Sequence, residues 1–206
     1  LVRLCPDSAS KVVEEQRHDH LEALAAFVRA TNPDILILQE VDAKSQRSLY
    51  LDQTQYMLDN TDLNYGVYAS QHKGDYLPSD GMAKMDFGNA ILSKWPITES
   101  ERHALPLDSE YPGYYQYFYL KRHILRAKID LPWDDNFYVV NTHLEAFSND
   151  GTKKDQIDQF HSHLAELDEM GANWVAAGDL NSLPNGSTML KEFPDDCPGM
   201  FEPDDY

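Results

Sequence analysis

Apolar positions recur along this chain with two periods, and the switches between them mark its elements. Leu21, Leu24, Ala25 and Val28 keep helical spacing behind the polar stretch EEQRHDH, and Asn32-Pro33 ends that helix. Ile35 to Leu38 is an unbroken aliphatic run, the pattern of a strand buried on both faces, and it leads directly into Gln39-Glu40. KSQRSLYLDQTQYMLDN reads as a second helix and NYGVYAS as a strand. QHKGDYLPSDGMAKMD is rich in loop formers, and the loop it predicts spans His72 to Met85. FGNAILS is the next strand, closed by Trp95-Pro96. The dense tyrosines from Tyr111 to Tyr119 predict a packed aromatic strand plus loop, with a turn at Pro112-Gly113. ILRAKIDL alternates, so it is a strand with one solvated face. Pro132 to Asn136 is a hairpin-like loop, and FYVVNTH is the strand beyond it. Ile157, Phe160, Leu164 and Leu167 mark the inner face of a helix, and WVAAGD is a further strand. Past Pro184 the pattern fades into polar, turn-rich sequence.

Strands interleaved with two or three helices, several of them consecutive, predict α+β layering with helices covering partly antiparallel sheets. The length of 206 residues suits one domain with a real core. Charge narrows the partners: 35 acids against 17 bases give a formal charge of -18, which repels polyanions and argues against sequence-blind binding of DNA or RNA on a basic surface. Cys5 and Cys197 have no C-x-x-C spacing and fix no compartment. No apolar run is long enough to span a bilayer. The first residue is Leu1 rather than Met, so a targeting segment, and with it a secreted or extracytoplasmic location, stays open.

Three of the apolar strands end in polar groups. ILILQE ends in Glu40, VVNTH in Asn141 and His143, and VAAGDLN in Asp179 and Asn181. Charges rarely follow such runs unless they are paired, hydrated or bound to metal. If the last strand persists, Asp179 and Asn181 project side by side. The competing reading is a plain turn, since Gly, Asp, Asn and Pro all form turns. Converging on one sheet edge, these groups would supply hard oxygen ligands suited to Mg²⁺ or Mn²⁺, with an imidazole beside them.

PDILILQE, GNAILSKWPI, VVNTHLEAF and VAAGDLNSLP, in this order, resemble the endonuclease/exonuclease/phosphatase family, which includes DNase I-like nucleases and neutral sphingomyelinases. Each motif alone is weak; four in order are specific, and they run from about residue 18 to residue 184. The resemblance implies a four-layered α/β sandwich, two packed mixed β-sheets flanked by helices, as a single domain over residues 1–206 that is incomplete at both ends. It implies a Mg²⁺-dependent phosphodiesterase, with Mn²⁺ as the substitute ion. Glu40 matches the metal ligand, and Asp179 the carboxylate that orients or deprotonates the attacking water. Asn181 matches the carboxamide that binds phosphate or nucleophile, and His143 a histidine on the scissile phosphate. The implied substrate is a phosphoester: nucleic acid, phospholipid head group or small molecule. The implied state is a monomer.

Two pieces of the family pattern are missing. Residues 1 to 17 contain no first-strand Asn, and no histidine follows residue 181 to complete a C-terminal Ser-Asp-His. Truncation at both ends would explain both; otherwise the alternative is a non-catalytic binding protein on the same scaffold. The remaining candidates read as structure. Asn141 and Asn89 are expected to fix backbone, and Gln156 either orders the loop after His143 or is solvated. His18 and His20, like His161 and His163, are two apart on helices and cannot share a face for a metal. Asn185-Gly186-Ser187 fits a glycosylation sequon, with a β-turn as the plainer reading.

Overall fold

The computed structural model describes residues 14–77, 83–107, 112–146 and 150–182. The cysteines, the sequon at 185–187 and the residues before position 14 lie outside them. Among the described residues, seven strands form two sheets. The first has the order β1-β3-β2, from Ile35–Asp42 (β1), Tyr65–Leu77 (β2) and Ala83–Ser93 (β3), with both pairings antiparallel. The second has the order β4-β5-β6-β7, from Ile97–Ala104 (β4), His123–Leu131 (β5), Asp134–His143 (β6) and Asn173–Asp179 (β7). Among the described strands only β6 and β7 pair in parallel, joined by the helix Thr152–Glu169 (α4) as a parallel crossover requires.

Side-chain alternation sorts the apolar residues into three layers. Ile91, Leu125, Ala127, Ile129 and Val139 pack between the sheets, with Ile35 and Ile37 of β1 against them. Leu36 and Leu38, the alternate residues of β1, face the helix Glu14–Thr31 (α1) with Met57 of the helix Gln53–Asn60 (α2). Ile124, Val140 and Leu167 build the third cluster, beneath α4. The result is helix, sheet, sheet, helix: the four-layered sandwich expected.

Several local readings are corrected. β1 packs on both faces as its aliphatic run implied, but its apolar residues stay half-buried, because among the described residues it is an edge strand. The loop expected from His72 to Met85 is mostly paired strand, since Lys73 and Gly74 continue β2 against Asp86 and Met85. ITESERHA forms β4, whose nearly all-polar face hid it from periodicity. The tyrosine-rich stretch contains a short helix, Gly113–Phe118 (α3), where a strand was expected. The second predicted helix is broken at Leu49 and Tyr50, both left-handed (φ 57° and 61°), and α2 starts only at Gln53, where the Asp52 side chain caps the Gln55 N–H. On α4 the inner face includes Gln156 rather than the exposed Ile157. Asn32 does end α1: it turns left-handed (φ 48°) and returns its N–H to Val28 O.

Candidate active site at the C-terminal ends of β1, β6 and β7

The parallel pairing of β6 with β7 sets His143 beside Asp179 in register. His143 Nε2 lies 3.8 Å from Asp179 Oδ2. The two strands stay tied past their ends, because Leu144 N donates to Asp179 O at 2.9 Å. β7 approaches β6 so closely here that a side chain at Gly178 would put its Cβ 2.1 Å from Thr142 O, so only glycine fits.

Asn181 does not lie beside Asp179 along a continuing strand. β7 stops at Asp179, and Asn181 turns left-handed (φ 49°). Asp179 Oδ1 accepts the Asn181 N–H at 2.8 Å, the side-chain-closed turn that aspartate favours. The Asn181 side chain then folds back, and its Nδ2 donates to Leu144 O at 2.8 Å. The turn and the polar cluster are therefore the same object. Lys153, in the first turn of α4, donates to Asn181 O and holds the turn from the other side.

Glu40 sits where β1 breaks register with β3, between Leu38 and Val41, and is left-handed (φ 57°). Such strain in a non-glycine residue gathers at functional sites. The irregularity turns Glu40 outward, and its side is exposed. Its neighbour Gln39 donates from Nε2 to Asn141 Oδ1 at 2.8 Å, and Asn141 Nδ2 donates to Leu38 O (2.8 Å) and Ala90 O (3.0 Å). One buried carboxamide thus fixes the end of β6 against the ends of β1 and β3, the structural role expected of Asn141. A cleft of about 410 Å³ opens beside Glu40; Leu21, Leu24, Leu38, Leu51 and Met57 make its apolar wall, and neither His143 nor Asp179 lines it.

Periodicity did not single out Arg122. It is buried just before β5, with Nη1 3.5 Å from His143 O and Nε 3.9 Å from Glu145 Oε2. With its amide turned to face the guanidinium, Gln71 Oε1 accepts from Nη1 at 2.5 Å and Nε at 3.2 Å. Burial lowers the Arg122 pKa, while Glu145, Tyr119, Glu40 and Asp179 raise it, so its charge is felt by both candidate carboxylates. The signal was a basic residue leading straight into an apolar strand, and its meaning depends on which sheet end it reaches. Gln156 is wholly buried: Oε1 accepts from Glu145 N (2.9 Å) and Nε2 donates to Pro106 O (2.8 Å), so it orders the segment after His143.

Burial, reinforced by Arg122 and opposed by Asp179, pulls the His143 pKa down to about 4. At neutral pH its ring is therefore an uncharged hydrogen-bond donor and acceptor, not an imidazolium. Of the helical histidine pairs, His18 and His20 are both exposed, and His161 is exposed while His163 is buried against His103, with ring centroids 4.3 Å apart. Among the described residues no group of three His, Cys, Asp or Glu side chains is placed to chelate a metal. The donor set suits an ion that keeps most of its waters and takes one or two protein carboxylates, as Mg²⁺ does, and not a zinc cage.

A family model described as Endonuclease/Exonuclease/phosphatase family matches residues 13–191. No curated protein matches the chain. Among solved structures, an endonuclease/exonuclease/phosphatase from Beutenbergia cavernae superposes with a TM-score of 0.61 at 23% identity, over 86% of this chain and 44% of that one. The human Nocturnin catalytic domain with bound sulfate anion gives 0.60 at 18% identity, over 86% and 62%. The D. rerio TDP2 complex with a single-strand DNA product gives 0.51 at 19% identity, over 81% and 55%. The chain thus spans 44% to 62% of the length of these neighbours, and the likeness is one of fold.

Proposed function

Since the chain belongs to the endonuclease/exonuclease/phosphatase family, we propose that it hydrolyses a phosphoester, most readily a phosphodiester, by in-line attack of water with Mg²⁺ as the cofactor. The observation that carries this reading is the meeting of His143 and Asp179 in register, with the Asn181 turn closed onto both strands.

Each residue has a part that its surroundings support. Asp179 has one carboxylate oxygen engaged by the Asn181 N–H and the other turned toward His143, so the second can orient a water and take its proton. The neutral His143 ring can donate from Nε2 to a phosphoryl oxygen as charge builds there. The Asn181 carboxamide, pinned through Nδ2 to Leu144 O while Lys153 holds its backbone carbonyl, offers a preorganised polar group at the same strand ends. Arg122 adds a fixed positive charge beneath the site. Glu40 is the residue that would hold the ion; Mg²⁺, or Mn²⁺ in its place, neutralises phosphoryl charge and polarises the ester when bound.

The substrate class follows from charge as well as from family. A chain of net charge -18 repels long polyanions, which favours a single phosphoester group, on a small molecule, a lipid head group or a nucleic-acid end, over the length of a duplex. On the same fold, the Nocturnin structure holds a sulfate anion and the TDP2 structure a single-strand DNA product, and both support an anion-binding site. A metal titration tests the assignment. Glu40→Gln should raise the Mg²⁺ concentration needed for half-maximal hydrolysis of an aryl phosphodiester by about 10-fold or more. An unchanged Mg²⁺ requirement would remove Glu40 from the site.

A further inference from the structure

Behind His143 lies a polar region that the proposed chemistry does not use. β5 and β6 pair with Ile124 opposite Thr142, and one step further along the same register sets His123 opposite His143. Both residues share the alternation of Leu125, Ala127 and Val139, so both project between the two sheets. Directly opposed residues on one face bring their Cβ atoms to about 5 Å. His123 is wholly buried and His143 is 4% exposed. Neither ring is fully partnered: His123 Nε2 and His143 Nδ1 are buried with no hydrogen bond among the described residues. The Asn89 amide, on the facing strand β3 and on the same inner side as Ile91, is also buried with neither polar atom partnered.

The tautomers can be read from the partners the rings do have. His123 Nδ1 is 3.3 Å from Lys121 O, and a carbonyl only accepts, so Nδ1 carries the hydrogen and Nε2 is a bare lone pair. His143 Nε2 is turned toward the Asp179 carboxylate, 3.8 Å away and beyond hydrogen-bond reach; the nearby negative charge favours the hydrogen on Nε2, which leaves Nδ1 a bare lone pair. Burial, together with Arg102, Arg122 and His143, pulls the His123 pKa down to about 4, so neither ring is protonated at neutral pH. Two buried acceptors side by side cannot satisfy each other. A water can, because it has two hydrogens to give.

We propose that His123 and His143 share one internal water, which donates one hydrogen to His143 Nδ1 and the other to His123 Nε2, and that His123 is thereby a positioning residue holding His143 as its Nε2–H tautomer. Its catalytic consequence rests on the phosphoesterase reading; its structural content does not. With the shared water in place, the Nε2 hydrogen stays directed at the substrate side. Without an acceptor at position 123, the water loses one anchor and His143 can flip or change tautomer.

Long-range proton–nitrogen NMR on protein with ¹⁵N-labelled histidine, at neutral pH, tests this. The wild type should show His143 protonated at Nε2 and His123 protonated at Nδ1, each with its other nitrogen accepting a hydrogen bond. His123→Phe should shift the His143 Nδ1 signal toward the unbonded position and lower kcat on an aryl phosphodiester by about 10-fold with KM unchanged. His123→Gln, which restores an acceptor, should recover both. A wild-type His143 carrying its hydrogen on Nδ1, or a His143 spectrum untouched by His123→Phe, would overturn the proposal, and the wild-type spectrum decides even if the Phe variant fails to fold. The expected spectra in a protein that hydrolyses no phosphoester would uphold the shared water and defeat the phosphoesterase reading instead.

Discussion

Asp179 and Asn181 show what a single residue can and cannot reveal from sequence. A carboxylate and a carboxamide after an apolar run pointed to a polar cluster at the end of β7, and there the two are joined by a side-chain-closed turn, not by a strand. The turn chemistry of Asp and the positive φ of Asn181 override strand periodicity once β7 leaves its neighbour. Gly178 was equally legible as a residue and illegible as a constraint, because the carbonyl that excludes a Cβ belongs to Thr142, far away in sequence. Gly178→Ala should therefore push β7 off β6 and cut activity as well as thermal stability. A variant with wild-type melting temperature and rate would show that the close approach has no consequence. Asp179→Asn keeps the acceptor for the Asn181 N–H and removes the base. Turnover should fall by about 100-fold or more while the melting temperature stays near that of the wild type.

Elements differ in how plainly they were written. FGNAILS and FYVVNTH, short apolar runs bounded by turn formers, became β3 and β6. ITESERHA is polar at most positions and still forms β4, because pairing with β5 supplies what its own side chains lack, including the Glu101–Arg126 ion pair across the two strands. The Ile35 to Leu38 run announced burial on both faces, but no described strand covers the outer edge of β1. Ile91→Ala, at a wholly buried position between the sheets, should cost about 2–5 kcal/mol in urea denaturation, and Leu36→Ala on half-buried β1 clearly less. Equal losses would mean that β1 is covered as deeply as β3. Asn141→Ala removes the carboxamide that joins Gln39, Leu38 O and Ala90 O, leaving buried carbonyls unpaired. A loss of about 2–3 kcal/mol is expected, with activity falling too, because the same bond fixes the backbone beside Glu40.

At the scale of the whole molecule, the order of four weak motifs identified the layered fold that the topology and the family match bear out. What they could not convey was a buried polar layer behind the site, made by Gln71 of β2, Asn89 of β3, Arg122 just before β5 and His123 at its start. That layer gives the molecule an acid weakness. His123 and His143 are held neutral with pKa values pulled to about 4, and burial lowers His72 and His163 in the same direction. The unfolded chain protonates His123 and His143 near pH 6.5 and the folded one only near pH 4, so their contribution to stability is complete above about pH 6.5 and is lost as pH falls toward about 4. The loss is on the order of 3 kcal/mol for His123 alone, and denaturation midpoints measured across that range should show it. A flat profile would mean that these rings are solvated or charge-paired when folded.

The central claim is metal-assisted phosphoester hydrolysis at the β1, β6 and β7 ends, and the most direct measurement is turnover of an aryl phosphodiester with Mg²⁺, then with excess chelator, then with Mg²⁺ restored, in wild type and Asp179→Asn. The account predicts turnover that disappears with chelator, returns with Mg²⁺ and is absent from the variant. Turnover indifferent to chelator or retained by Asp179→Asn would contradict it, and no turnover together with no Mg²⁺ binding by the wild type would leave a binding protein on the same scaffold.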